Sequence, residues 1–122
     1  MPSRDTGEAA ERHALDYLTR QGLKLVMANY RSRFGEIDLI LRDGDVLVFA
    51  EVRMRKNEDF GGARASITPA KQTRLIKTAN QYLTRFARPP QCRFDAVLLG
   101  ASSNGAPNSD TIEWIKNAFD GH

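Results

Sequence analysis

Two apolar runs separated by an Asp-Gly pair constrain this chain more than any other feature. They are Ile37-Asp-Leu-Ile-Leu41 and Val46-Leu-Val-Phe-Ala-Glu-Val52, with Asp43-Gly44 between them. An Asp-Gly step flanked by β-branched and aromatic residues signals a hairpin. Strands this apolar belong in the middle of a sheet, where carboxylates rarely stand without a partner. Yet the hairpin carries Glu36, Asp38 and Glu51, followed by Arg53. Side chains alternate along a strand, so Glu36 and Asp38 share one face of their strand, Glu51 and Arg53 share one face of theirs, and register decides whether the two faces coincide. A two-residue Asp43-Gly44 loop pairs Arg42 with Asp45, sets Glu36 opposite Glu51, and leaves Asp38 diagonal to Glu51 within side-chain reach. A loop one residue longer would split the set between two faces.

Gathering carboxylates this way is costly. Two like charges about 4 Å apart repel by roughly 4 kcal/mol at an effective dielectric near 20. A bound cation, a proton or Arg53 could offset this. Mg²⁺ and Mn²⁺ favour oxygen ligands, and such an ion can orient a phosphodiester and sharpen a water nucleophile. The competing reading is a solvated hairpin face with a structural ion pair between Arg53 and a carboxylate.

The rest of the chain frames the hairpin. Asp5-Thr-Gly-Glu8 reads as a capping box with Asp5 as N-cap, opening a helix at about 6–21 that Gly22 stops. Leu23 to Asn29 is expected as a strand, Arg31 to Gly35 as a turn or bulge, Glu36 to Arg42 and Val46 to Arg53 as strands. Residues 56–67 show no period, and Lys56 to Ala63, with Phe60-Gly-Gly62 inside it, reads as a loop. Thr68 and Pro69 fit N-cap and N1 of a second helix, which Pro89-Pro90 ends. Cys92 to Leu99 reads as a strand with Cys92 buried, 100–110 as a loop, Thr111 to Ile115 as a short strand, and Lys116 to Phe119 as a closing turn. The order is α-β-β-β-α-β-β, an α/β fold with a mixed central sheet flanked by helices, and one domain is expected over 1–122.

Charge points toward phosphate. The net charge of +3 is mild, but arginine outnumbers lysine 13 to 5, and guanidinium suits bidentate phosphate contacts. One cysteine excludes an internal disulfide framework. No apolar run approaches the roughly 20 residues a membrane span needs, and the N-terminus lacks the apolar core of a signal peptide. A cytoplasmic setting without membrane contact is expected. Two histidines, His13 and His122, argue no zinc site.

Several motifs carry a resemblance: Gly7-Glu8, Asn29-Tyr-Arg31, Gly35-Glu-Ile-Asp-Leu-Ile40, Val48-Phe-Ala-Glu-Val-Arg53, Phe60-Gly61, Lys71, Arg93-Phe-Asp95 and Trp114-Ile-Lys-Asn-Ala-Phe119. With them the chain resembles the YraN-type family of small bacterial proteins. More broadly it resembles the restriction-endonuclease-like PD-(D/E)xK nucleases, Holliday-junction resolvases included. The resemblance implies that Asp38 and Glu51 bind metal and that Glu8 adds an acid from the first helix. It puts Arg53 where the superfamily motif has lysine. Arginine stays protonated, so Arg53 suits charge stabilisation and not base catalysis. A homodimer is implied by analogy with resolvases.

The function expected is a Mg²⁺- or Mn²⁺-dependent endonuclease acting on DNA, on branched or repair intermediates. Asp38, Glu51, Arg53 and Glu8 are the candidate catalytic residues, and Glu36 joins Asp38, Glu51 and Glu8 as a candidate metal ligand. Arg31, Arg33, Arg55 and Lys71 are candidate nucleic-acid contacts. Lys71, Arg74, Thr78, Gln81 and Arg85 form a helical stripe, expected as a solvated face or a phosphate track. Asp95 is expected to pair with a nearby arginine. Two alternatives stay open: a nucleic-acid-binding protein with a degenerate site, and a protein-interaction module.

Overall fold

The computed structural model describes residues 3–54, 67–101 and 106–119. Two helices and five strands follow one another as α1 (Ser3–Arg20), β1 (Lys24–Ser32), β2 (Gly35–Asp43), β3 (Val46–Met54), α2 (Pro69–Leu83), β4 (Cys92–Ala101) and β5 (Pro107–Phe119). This is the expected order. The five strands form one sheet in the order β1-β2-β3-β4-β5. β3 and β4 are parallel and the other neighbours antiparallel, so the sheet is mixed. The one parallel step is the crossover that contains α2, as parallel pairing requires.

Apolar side chains cover both faces. Ala10, Ala14 and Leu18 of α1 pack on Leu39, Leu41, Val48, Ala50, Val97 and Leu99. Leu75, Ala79 and Tyr82 of α2 pack on Ile37, Ile40, Leu47, Phe49, Phe94 and Ala96. Near-continuous apolar β2, β3 and β4 are what a sheet covered on both faces demands. β2 breaks strict alternation. Ile37 and Ile40 both join the α2 side although three residues apart, and Asp38 lies inside that interruption.

The hairpin differs from expectation in register. Asp43 pairs with Val46, Arg42 with Leu47 and Leu39 with Ala50, so the linking residues are Gly44 and Asp45. Gly44 has φ 61° and Asp45 is not among the residues with positive φ. That suits a type II′ turn, which needs glycine at the first linking position. The expected register is wrong by two residues. The pairing stops at Leu39–Ala50, and beyond it Asp38 meets β3 through the Val52 amide, which donates to Asp38 Oδ2.

Other boundaries move too. α1 begins at Ser3, so Asp5 is inside the helix and not its N-cap. Ser3, Asp5 and Thr6 all suit a helix start, and local composition alone does not choose among them. The expected turn at Arg31–Gly35 narrows to Arg33-Phe34, because Ser32 already pairs with Gly35. α2 opens as expected, with Thr68 accepting from the Lys71 amide, but it ends at Leu83 with Thr84 as C-cap, well before Pro89. The expected 100–110 loop is partly strand, since Gly100 pairs with Asn108 and Ala101 with Pro107. β5 continues through the expected closing turn to Phe119. Cys92 is exposed, not buried.

Candidate functional site

A cleft of about 630 Å³ opens at one end of the sheet, between the N-terminal parts of the two helices. Gly7, Ala10 and Glu11 of α1 line one wall, and Lys71, Arg74 and Leu75 of α2 the other. The floor is the open end of the hairpin, with Gly35, Glu36, Asp38, Glu51, Val52 and Arg53.

Asp38 and Glu51 converge there. Asp38 Oδ2 accepts a 2.8 Å hydrogen bond from the Val52 amide. Burial pushes the Asp38 carboxyl up to about 8, and the Glu51 charge adds to this, while the Val52 amide pulls the other way. Glu51 is almost fully buried, and its Oε2 lies 2.6 Å from Arg53 Nη2. Arg53 Nε is buried and has no hydrogen-bond partner among the described residues. The floor therefore combines an excess of negative charge with a guanidinium that has a spare donor.

A second tier of acids stands behind the first. With its amide oriented to donate, Asn29 gives hydrogen bonds to Glu11 Oε1 at 3.1 Å and Glu36 Oε2 at 2.9 Å. Asn29 holds φ 56°, a left-handed conformation that asparagine tolerates better than most residues. Partial burial raises the Glu11 pKa, the Asn29 hydrogen bond opposes this, and the charges of Glu36 and Glu51 reinforce it. Arg31 Nε lies 3.6 Å from Glu36 Oε2 at the rim.

The structure thus brings Asp38, Glu51, Arg53, Glu36 and Lys71 to one cleft. Glu8 is exposed on α1 and is not among the cleft-lining residues. Glu11, one turn on, takes the place expected for an α1 acid. Helical phase carried that signal: at about 100° per residue, Glu11 falls about 60° from the centre of the Gly7, Ala10, Ala14, Leu18 stripe and Glu8 about 120°. Asn29 joins the site from outside the expected set, and Arg74, expected only as part of the helical stripe, lines the cleft wall. Arg33 is exposed at the β1–β2 turn. Arg55 and the Phe60-Gly-Gly62 stretch lie outside the described residues. The helical stripe is not uniformly solvated, since Thr78 is fully buried and donates to the Arg74 carbonyl at 2.8 Å.

Asp95 is apart from the cleft's lining. Its buried carboxylate pairs with Arg93 at 3.0 Å, as expected, and accepts from Trp114 Nε1 at 2.9 Å and the Asn117 amide at 3.1 Å.

A family model described as uncharacterised protein family UPF0102 matches residues 10–99. The chain belongs to UPF0102. That match covers α1 from Ala10 onward, all of α2, the hairpin and the cleft floor, and the family is the YraN-type one that the Glu-Ile-Asp-Leu-Ile and Glu-Val-Arg motifs indicate. The chain is 53% identical to a UPF0102 protein of Nitrosospira multiformis over 120 residues, covering 98% of this chain and 97% of that one. It is 52% identical to a UPF0102 protein of Nitrosomonas eutropha over 118 residues, covering 97% and 96%. A third, from Nitrosomonas europaea, is 54% identical over 114 residues, covering 93% and 92%.

Among the described residues, no set of three His, Cys, Asp or Glu side chains is arranged as a metal cage. Two carboxylates are enough for the ion that the donor chemistry suits. Mg²⁺ is commonly held by one or two carboxylates, keeping waters and substrate oxygens as its other ligands. Asp38 and Glu51 are hard oxygen donors whose mutual repulsion calls for a positive charge, so the residues present fit Mg²⁺ or Mn²⁺. Among the described residues no helix is long and apolar enough to cross a membrane.

Proposed function

We propose that this UPF0102 chain is a Mg²⁺- or Mn²⁺-dependent endonuclease that hydrolyses DNA phosphodiesters, with branched or repair intermediates as its substrates and the cytoplasm as its setting. The observation that carries this reading is the convergence of Asp38 and Glu51, from adjacent strands, in a cleft whose opposite wall bears Lys71 and Arg74. Asp38 and Glu51 would hold the ion, which when bound polarises the phosphate and activates water. The Val52 amide fixes the Asp38 carboxylate. The partly exposed Arg53 guanidinium would meet a phosphate oxygen as negative charge grows there. Glu11 and Glu36, tied together by Asn29, would assist beside the ion from the α1 wall and the floor. The separation of an acidic floor from a cationic wall lets one cleft bind both a cation and a polyanion.

The test is incubation of purified protein with duplex, single-stranded and branched DNA, with Mn²⁺ or Mg²⁺. Cutting should occur, and Asp38→Ala or Glu51→Ala should reduce it by about two orders of magnitude or more. A wild-type protein that binds DNA in a salt-sensitive way and never cuts it supports the second reading, a binding protein with a degenerate site. The 2.6 Å Arg53–Glu51 pair favours that alternative, because the guanidinium already neutralises one acid.

A further inference from the structure

We propose that the edge of α2 adjoining the β1–β2 turn is a track for a nucleic-acid backbone, leading out of the cleft on one side only; this rests on the phosphodiester-directed reading above. The sequence between Phe60 and Phe94 contains no Asp or Glu, and its described part holds Lys71, Arg74, Lys77, Arg85, Arg88 and Arg93, the last paired with Asp43 and Asp95. At about 100° per residue, Arg74, Lys77 and Gln81 fall along one edge of the buried Leu75, Thr78, Ala79, Tyr82 stripe.

That edge meets the hairpin turn closely. A Cβ on Gly35 would sit 3.5 Å from Thr78 Oγ1 and 3.6 Å from Arg74 Cβ, and Ser32 Oγ lies 3.3 Å from Thr78 Oγ1. The Arg33 guanidinium and Lys77 Nζ both sit over the Phe34 ring, at 5.0 and 5.9 Å. Beyond them a shallow groove is lined by Tyr30, Arg31, Ser32, Arg33 and Gln81. At its far end the Arg85 guanidinium stacks 3.9 Å from the Tyr82 ring centre.

Cations therefore run from Lys71 and Arg74 at the cleft, past Lys77 and Arg33, to Arg31 and Arg85. Arg31 is paired with Glu36; the other five pair with no carboxylate among the described residues. Stacking on a ring holds a guanidinium in place; at Arg85 a 3.1 Å hydrogen bond from Nε to the Tyr82 carbonyl adds to this and leaves the Nη groups to meet an anion. The strip's Phe34 and Tyr82 rings are covered by its own cations, and its groove is lined by Tyr30, Ser32, Gln81 and two arginines, which leaves little bare apolar surface for a peptide side chain. A sugar-phosphate backbone fits it better than an acidic peptide. The opposite wall carries Glu11, which repels such a backbone, while Glu36 on the floor is offset by Arg31; the track therefore leaves along the α2 side. Lys71 to Arg85 spans about 20 Å at helical rise, or about six nucleotide steps.

The experiment is fluorescence anisotropy with labelled duplex DNA of about 20 base pairs and the matching single strand, in chelator and without divalent ions. The proteins are wild type, Arg33→Ala, Lys77→Ala and their double variant, with Arg12→Ala and Arg20→Ala on α1 as charge-matched controls; thermal melts establish folding. The double variant should bind about tenfold more weakly, and its slope of log affinity against log salt should flatten by about 2. The α1 controls should bind as wild type does. Equal losses in the controls, or unchanged binding in the double variant, would overturn the track. Asp38 and Glu51 are untouched here, so failure of the track and failure of the nuclease reading appear in different experiments.

Discussion

Asp38 is the residue whose environment is least comfortable, and its discomfort is measurable. Its carboxyl is pushed from an ordinary 3.8 to about 8 by burial and by Glu51. An acid with a higher pKa in the fold than in the open chain binds its proton more tightly when folded. Between about pH 4 and pH 8 the open chain has lost that proton while the fold retains it, so this residue's contribution to stability falls as pH rises across the window and levels off above it. Asp38→Asn keeps the shape and removes the titration. In metal-free buffer it should raise the melting temperature over wild type by more at pH 8 than at pH 5; equal changes at the two pH values would show that the carboxyl is not strained. Arg53 acts in the opposite sense. Arg53→Gln leaves Glu51 without its cation and should cost about 1.5–3 kcal/mol in urea unfolding near pH 7, and a loss well under that would mean the 2.6 Å pair is mostly screened by solvent.

At the scale of elements, the strands and helices were largely legible because their periods are clean. The Thr68-Pro69 start of α2 held, since a capping side chain and a fixed φ are local devices. What was illegible came from pairing. Residues 100–110 are rich in Gly, Ser and Asn, yet Gly100 and Ala101 remain strand because Asn108 and Pro107 lie across from them. Register across Asp43-Gly44 was missed because the glycine could stand first or second in the turn, and only the II′ geometry decides. Parity does not carry through to the acids, because β2 breaks alternation between Ile37 and Ile40; Asp38 and Glu51 nevertheless line one cleft. Glu11 was legible in helical phase and was passed over for Glu8. Gly100 gives this scale its own test. A Cβ there would lie 2.6 Å from Thr111 Oγ1, the atom that accepts from the Gly100 amide at 2.7 Å. Gly100→Ala should therefore cost about 1–3 kcal/mol through overpacking of the β4–β5 ladder, read as a lower denaturation midpoint with an unchanged slope. A neutral substitution would show that β5 shifts freely at this end.

For the molecule as a whole, the two helices give the cleft two electrical characters, acid from α1 and the hairpin, base from α2. In such a cleft the proton on Asp38 and a divalent ion compete for the same carboxylates. Metal affinity should accordingly rise with pH. An ion that binds only the fold stabilises it by mass action, by about 2.7 kcal/mol at a hundred times its dissociation constant. Mn²⁺ should raise the melting temperature of the wild type, more at pH 8 than at pH 5, and chelator should reverse the rise. Glu51→Ala removes one donor and frees Arg53, so its shift should vanish at both pH values. An equal Mn²⁺ shift in wild type and Glu51→Ala would place the ion elsewhere on the molecule. The acidic floor would then be a structural device balanced by Arg53 and a proton, and the cationic edge of α2 would have to account for any interaction with DNA by itself.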